Sequence, residues 1–376
     1  MAKKSIVLAS NTSFSLYNFR LGFMRRLKEL GYNVVCVAPV DDYTEYLKEE
    51  FSFYPLRNLD RKGKNPIKDF LLLIEFIKLY HKLKPNLVIN FTIKPNIYSS
   101  FACGLLRIPS ISVVTGLGYV FLRGGLLEKI VRVLYRVAFK GNKFIVVQNA
   151  DDYQIIKELS DRAEKVVLIE SSGVNTEYFS PEICKEYEDK IERGKWIFLF
   201  VGRFLKDKGI LELIEASREL WRERRDFEVW LLGEIDPGNP QSLKKEEIHA
   251  LRDVEYLKVL PFTLDVRPII CQADCFVLPT YYKEGLPRAL LEAMSMAKPV
   301  ITTNSAGCKE ACINGVNGFL VEPKNIEDLK RAMEKFLNLS EEEKANMGKK
   351  GREIVLKRFD ERYVIEKYLD LITKIV

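Results

Sequence analysis

WIFLFVG, residues 196–202, is an unbroken apolar run that stops at a glycine. A strand covered on one face alternates apolar and polar side chains, whereas one covered on both faces is apolar throughout. Runs of this kind recur along the chain. Before it stand SIVLAS (5–10), NVVCVAP (33–39), NLVINF (86–91), ISVVTG (111–116), FIVVQN (144–149) and VVLIESSG (166–173). After it come FEVWLLG (227–233), YLKVLPF (256–262), DCFVLPT (274–280), PVITTN (299–304) and GFLVEP (318–323). Helix-length amphipathic stretches separate them, as crossovers between parallel strands require. The pattern predicts two doubly wound α/β domains facing across a cleft. The first is expected over residues 1–178 and the second over 179–355, with the linker at NTEYFSPEICK (175–185), where periodicity lapses. Residues 356–376, including FDERYVIEKYLDLITKIV, read as a helix that crosses back to the first domain.

With 376 residues, 47% hydrophobic and 30% charged, the composition is that of a globular protein with room for two cores. No run reaches the roughly 18 apolar residues of a membrane span. The start, MAKKSIVLAS, offers too short an apolar run for a signal peptide, so a cytoplasmic location is expected. Seven cysteines lie scattered in strand- and helix-like segments, which predicts reduced thiols acting as small buried hydrophobes. Cys271, Cys275, Cys308 and Cys312 sit inside apolar segments rather than across turns, which disfavours a zinc site.

Charge is uneven. Residues 51–150 carry 16 Lys+Arg against 4 Asp+Glu, a net of +12, while the whole chain is only +7. Such a segment implies an anionic partner. In GLLEKIVRVLYRVAFKG (125–141), Leu126, Leu127, Ile130, Val131, Leu134, Val137 and Ala138 share a helical face, beside a stripe of Lys129, Arg132, Arg136 and Lys140. With the basic run RKGKNPIK (61–68), this predicts peripheral binding to an anionic membrane surface. The basic segments lack the interleaved aromatics of single-strand binders, so nucleic acid is not expected as a partner.

Ligands of doubly wound sheets bind at the carboxyl ends of the strands. VGRFLKDKG (201–209) lies at such an end: Arg203 offers a planar fork for phosphate oxygens and Lys208 a compact charge. No GxxxxGK[ST] or GxGxxG follows a strand, which disfavours nucleoside triphosphates and dinucleotides. EGLPRALLE (284–292) places Glu284 before a helix and Glu292 within it, with Pro287 in the first turn. The Gly285 and Leu286 amides then lie near the helix N-terminus, where anions are favoured. The two glutamates read either as an acid/base pair or as two contacts on one ligand.

VGRFLKDKG, FVLPTYYKEGLPRALLEAMSMAKPVITTNSAGCKEA and NGVNGFLVEP follow in order, with seven residues between Glu284 and Glu292. In this the chain resembles the family 4 retaining glycosyltransferases, which have the two-Rossmann GT-B fold. The resemblance spans nearly the whole chain. It implies that Arg203 and Lys208 hold a donor diphosphate, that Glu284 contacts the sugar hydroxyls near the Gly285 and Leu286 amides, and that Glu292 holds the ribose. Gly202, beside Arg203, and Phe262, at the end of the run YLKVLPF, are placed with the donor. The catalytic set is then Arg203, Lys208 and Glu284, with no metal and no other cofactor, because the two cations stabilise the departing phosphate. Acceptor attack on the face the diphosphate leaves, with a phosphate oxygen taking the proton, implies an α-linked product.

SLYNFR (15–20), FTIKPNIYSSFACG (91–104) and ISVVTGLGYVFLRGG (111–125) resemble the branch that extends sugars on undecaprenyl diphosphate in bacterial glycan assembly. Acceptor-side residues are expected to be Ser13, Tyr17, Arg20, Lys94, Asn96, Thr115, Gly116 and Gly118. Several members place a histidine where this chain has Thr115, so no histidine role carries over. The implied function is transfer of GalNAc, GlcNAc or a hexose from a UDP-sugar to a polyprenyl-diphosphate-linked saccharide at the inner membrane face. The alternatives are a UDP-N-acetylglucosamine 2-epimerase, which would need another acid/base set, and a catalytically silent nucleotide-sugar-binding protein.

Overall fold

The computed structural model describes residues 3–61, 63, 65–118, 121, 125–190, 194–282 and 285–376. The chain divides into two compact units. Unit 1 holds the chain up to Gly173, together with Gly285, Leu286 and Glu361–Val376; unit 2 holds most of the chain between Val174 and Asp360.

In unit 1, β1 (Ser5–Ala9), β2 (Asn33–Ala38), β3 (Ser52–Pro55), β4 (Leu87–Phe91), β5 (Ser110–Val114), β6 (Phe144–Val147) and β7 (Val166–Leu168) form one sheet, ordered β3-β2-β1-β4-β5-β6-β7. Every pairing is parallel. Strands β1, β4 and β5 are almost wholly buried, as their uninterrupted apolar sequences require. The unexpected strand is β3: an edge strand of four residues with both ends exposed, it has no apolar run to announce it.

Helices α1 (Ser13–Glu29), α2 (Thr44–Glu50), α3 (Pro66–Leu83), α4 (Ser100–Leu106), α5 (Gly125–Gly141) and α6 (Ala150–Leu159) cover this sheet. A final helix, Glu361–Thr373, packs Val364, Tyr368, Leu369 and Ile372 into the core formed by Phe23, Met24, Leu27 and the β1–β4 side chains. The Phe23 and Tyr368 rings lie 5.2 Å apart.

The apolar side chains of α5 do not form a single covered face. Val131, Tyr135, Ala138 and Phe139 are buried, whereas Leu126, Ile130, Val133 and Val137 stand in solvent at helical spacing. Of its basic residues, Arg132 is committed within the unit: it pairs with Glu128 at 2.7 Å and lies over the Phe121 ring. Lys62 and Lys64 of the expected basic run lie outside the described residues.

Unit 2 repeats the architecture. Strands β8 (Trp196–Val201), β9 (Phe227–Leu232), β10 (Leu257–Leu260), β11 (Cys275–Leu278), β12 (Val300–Thr303) and β13 (Gly318–Val321) are parallel in the order β10-β9-β8-β11-β12-β13. The expected linker is held firmly to this unit. Thr176 donates to Asp360 at 2.6 Å, and the Phe179 carbonyl accepts from Ser295 at 2.6 Å. The expectation of free thiols fails at one pair: Cys184 and Cys271 form a disulfide. The 3₁₀ stretch Pro181–Lys190 lies beside the helix Arg267–Gln272 and brings the two Cα atoms to 5.1 Å, which is bridging distance. Cys36, Cys103, Cys275, Cys308 and Cys312 are buried and lie outside any disulfide, as expected. Among the described residues no helix is long and apolar enough to cross a membrane.

Candidate active site

The strand order of unit 2 reverses between β8 and β11, and the VGRFLKDKG loop and Thr280–Tyr282 follow those two strands, at the switch point where such sheets take ligands. The loop leaving β8 is tied to the loop leaving β9. Gly202 N donates to the Leu232 carbonyl at 3.0 Å, Phe204 N to Glu234 at 2.8 Å and Lys206 N to Gln241 at 2.8 Å. Gly233 (φ +157°) sits so close to Gly202 that a Cβ there would fall 1.9 Å from the Gly202 carbonyl oxygen. This close packing brings Asp236 to Arg203, whose Nη1 donates to Asp236 Oδ2 at 2.5 Å. The Arg203 side chain remains 39% exposed while Asp236 is 9% exposed. One edge of the guanidinium is therefore anchored and the rest faces solvent.

Lys208 closes a 3₁₀ turn, Lys206–Lys208, that ends at Gly209 (φ +77°). A Cβ at Gly209 would lie 2.1 Å from the Pro279 carbonyl oxygen, so only glycine lets this turn pack on the end of β11. The Asp207 carbonyl accepts from Tyr281 N at 3.0 Å, Tyr282 N at 2.9 Å and Thr280 Oγ1 at 3.2 Å. These bonds fix the Lys208 loop against the start of the loop that carries EGLP. Phe262, just past β10, exposes its ring.

The helix of the EGLP motif runs Arg288–Ser295, with Pro287 as its N-cap rather than its first-turn residue. Leu290, Leu291 and Met294 are fully buried, the apolar face that the sequence indicates. Glu292 lies on the same helix, and Arg288 Nε donates to its Oε1 at 2.9 Å. Burial pushes the Glu292 carboxyl up from its ordinary value, and the Arg288 charge and hydrogen bond oppose that rise. Glu284 lies outside the described residues. Gly285 and the buried Leu286 belong to unit 1, where Asn149 Nδ2 donates to the Gly285 carbonyl at 3.1 Å. A Cβ at Gly285 would fall 2.4 Å from Gln148 Oε1 and 2.6 Å from the Thr115 carbonyl oxygen.

The residues of unit 1 expected on the acceptor side divide by exposure. Tyr17 is half-buried, with its ring 5.6 Å from Tyr43 and 5.4 Å from Tyr46. Ser13 is fully buried: its hydroxyl donates to the Pro39 carbonyl and shares a hydrogen bond with Thr44 Oγ1, so it braces a loop. Arg20 is buried with its guanidinium 4.5 Å from the centre of the Phe91 ring. Lys94 pairs with Asp69 at 2.6 Å. Asn96 is buried within the π-helical turn Pro95–Ser99 and donates to the Val113 carbonyl at 2.9 Å. Gly116 (φ +115°) and Gly118 (φ +62°) adopt backbone conformations that favour glycine, and Thr115 precedes them at the end of β5.

This sheet reverses between β1 and β4. The buried hydroxyls of Ser10 and Thr92, which follow those two strands, have no hydrogen-bond partner among the described residues. The same holds for Asn96 Oδ1 and for Gln148 Nε2 past β6. Buried polar atoms are seldom left unpaired, and here they gather at the ligand-binding end of a sheet. Ser10 and Thr92 lie at polar strand ends that the sequence marks for ligand contact, whereas Gln148 and Asp236 carry no such mark. Gln148 nonetheless follows an apolar strand directly, which is the signal by which it is found.

Two family models match in succession: "Glycosyl transferase 4-like" over residues 5–149 and "Glycosyl transferases group 1" over residues 185–354. A curated Campylobacter jejuni protein, N,N'-diacetylbacillosaminyl-diphospho-undecaprenol alpha-1,3-N-acetylgalactosaminyltransferase, is 30% identical over 98% of both chains. The chain belongs to the family 4 glycosyltransferases. An Escherichia coli relative, UDP-Gal:alpha-D-GlcNAc-diphosphoundecaprenol alpha-1,3-galactosyltransferase, is 28% identical over 92% of this chain and 90% of its own. The solved glycosyltransferase of Rickettsia africae superposes with a TM-score of 0.78 at 22% identity, covering 100% of this chain and 99% of that one. Anabaena HepE, solved in complex with UDP, superposes at 0.79 and 16% identity, covering 98% of this chain and 100% of that one. Both are likenesses of fold, and the fold of this glycosyltransferase is GT-B.

Proposed function

We propose that this glycosyltransferase moves a sugar, an N-acetylhexosamine or a hexose, from a UDP-sugar to a saccharide linked to polyprenyl (undecaprenyl) diphosphate, with retention and without a metal. The observation that carries this reading is collinearity over 98% of both chains with a relative whose name specifies a diphospho-undecaprenol acceptor and an α-linkage. The E. coli relative is named for the same kind of acceptor and for a UDP-linked donor, and HepE holds UDP on the same fold.

In this reading Arg203 and Lys208, at the reversal of the unit 2 sheet, take the diphosphate. Glu292 accepts hydrogen bonds from the ribose hydroxyls, Phe262 lies beside the nucleotide, and Glu284 contacts the sugar. The acceptor hydroxyl attacks the anomeric carbon on the face the diphosphate leaves. The C–O bond to the β-phosphate breaks, and a phosphate oxygen takes the acceptor proton. The two cations supply the positive charge that the leaving phosphate needs, so no divalent ion is required. The exposed stripe of Leu126, Ile130, Val133 and Val137, beside basic Lys129, Arg136 and Lys140, supports attachment at the inner face of the cell membrane.

The test is UDP release from UDP-GalNAc, UDP-GlcNAc, UDP-galactose and UDP-glucose, with and without EDTA, against a panel of polyprenyl-diphosphate sugars. One pair should turn over in EDTA, and the product should show an α anomeric coupling by NMR. A β product, or turnover that EDTA abolishes, defeats the mechanism. Absence of transfer from every UDP-sugar defeats the donor assignment.

A further inference from the structure

Four aromatic rings gather where β1 and β2 end. Phe14 and Tyr17 lie one turn apart at the start of α1; Tyr43 is the N-cap of α2 and Tyr46 lies within it. Ring centroids are 5.1 Å apart for Phe14–Tyr43, 5.6 Å for Tyr17–Tyr43 and 5.4 Å for Tyr17–Tyr46. Burial in a core does not account for the group, since Phe14 is 38% and Tyr46 43% exposed. The rings are mounted on a braced backbone. Asp41 accepts from Phe14 N through one oxygen and from Tyr43 N through the other, both at 3.0 Å, which ties the two helix starts together. Ser13 Oγ donates to the Pro39 carbonyl and Thr44 Oγ1 accepts from Asp41 N, both at 2.9 Å. A surface fixed in advance loses little entropy when a ligand arrives.

The charge around the rings separates this patch from the basic surface of residues 51–150. Residues 38–50 carry Asp41, Asp42, Glu45, Glu49 and Glu50 against one cation, Lys48; Lys48 pairs with Glu45 at 2.7 Å, and Glu50 pairs with Arg25 of α1. A segment of net negative charge repels phosphate and anionic lipid. It suits a neutral pyranose, whose C–H face packs on aromatic rings while its hydroxyls donate to carboxylates. The location fits as well, because β1 and β2 are neighbours and their carboxyl ends are the ligand side of the sheet.

We propose that Phe14, Tyr17, Tyr43 and Tyr46 form a shelf that binds a neutral sugar residue of the acceptor glycan. This rests on the reading of the chain as a transferase with a saccharide acceptor. It adds a subsite that selects acceptors by their sugar rather than by their lipid diphosphate.

The experiment is saturation-transfer NMR on the full chain without donor, using methyl β-N-acetylglucosaminide and N,N′-diacetylchitobiose as probes. Saturation of the sugar ring protons is expected for the wild type, its loss for Phe14→Ala/Tyr46→Ala, and its retention for Tyr46→Phe, which keeps the ring. If the double variant does not fold, the single Tyr46→Ala at an exposed ring replaces it, with an expected fall in saturation of at least about twofold. Equal saturation in wild type and variant overturns the shelf. So does its absence in the wild type, a loss of binding to phosphatidylglycerol vesicles in the variant, or a shift of the variant from dimer to monomer. No turnover is measured, so the shelf can fail while UDP release still supports the transferase, and the reverse.

Discussion

Arg203 Nη1 donates to Asp236 Oδ2 at 2.5 Å, so the cation expected to meet the diphosphate is already held by a carboxylate from the next loop. The pair is partly exposed, and its worth lies in orientation more than in stability. Asp236 is itself anchored: its backbone N–H donates to Ser242 Oγ at 2.9 Å, and Asn239 Nδ2 donates to its carboxylate at 3.2 Å.

Asp236→Asn keeps the size of the side chain and removes the charge that aims Arg203. Donor KM should rise about tenfold, equivalent to about 1.4 kcal/mol of lost binding. Arg203→Ala or Lys208→Ala should cut turnover by orders of magnitude with the fold intact. Steady-state kinetics with circular dichroism on each variant checks both. Near-normal turnover in Arg203→Ala or Lys208→Ala removes the clamp.

Arg288 and Glu292 set a pH dependence. Burial raises the Glu292 carboxyl above its ordinary 4.5, so the carboxylate proposed to accept ribose hydroxyls forms only at higher pH. Donor affinity should weaken on acidification at a pH above that of an ordinary carboxylate. Arg288 favours the charged form, so Arg288→Ala should move the transition further up. The same variant leaves an ionised, partly buried carboxylate without its partner at neutral pH. Its melting temperature should drop there and recover toward wild type as Glu292 protonates in acid. Calorimetric titration of UDP and thermal melts across pH measure the two effects, and a pH-independent deficit would mean that Arg288 acts only through packing.

Gly285 carries a steric prediction. A Cβ would strike the Thr115 carbonyl oxygen, which is backbone and cannot swing aside. Gly285→Ala should therefore displace the EGLP loop and lower kcat/KM by at least about tenfold, roughly 1.4 kcal/mol in the barrier. Unchanged kcat/KM would mean that the loop turns over away from Thr115 and Gln148.

How far the sequence speaks follows from what each element demands locally. Strands such as β1, β4 and β8 are legible because cover on both faces forces continuous apolar runs. The edge strand β3 is not, because Ser52 and Pro55 face outward and leave no pattern. Arg203 and Lys208 stand out at a strand end, but Asp236 does not: it lies in DPGNPQS, whose only local signal is a turn, and its pairing depends on Gly233 meeting Gly202. The Cys184–Cys271 bridge joins positions 87 residues apart, a separation no spacing rule connects. The periodicity of α5 marks an amphipathic helix correctly and misassigns its faces, since Val131 and Ile130 are neighbours in sequence and point to opposite environments.

That division of α5 changes what membrane attachment should depend on. Arg132 is paired with Glu128 and packed on Phe121, which leaves Lys129, Arg136 and Lys140 as the charges to remove. Electrostatic attraction to anionic lipid is screened over a Debye length of about 8 Å at physiological salt, whereas burial of apolar side chains is not. Two sets of substitutions should therefore separate on phosphatidylglycerol vesicles. Replacing Lys129, Arg136 and Lys140 by Gln should weaken sedimentation with vesicles at low salt and matter little at high salt. Replacing Ile130 and Val133 by Ser should weaken it at both, while the UDP affinity proposed for the other unit stays unchanged. If the serine variant binds vesicles as the wild type does at high salt, the exposed stripe is not an insertion surface and attachment rests on charge alone.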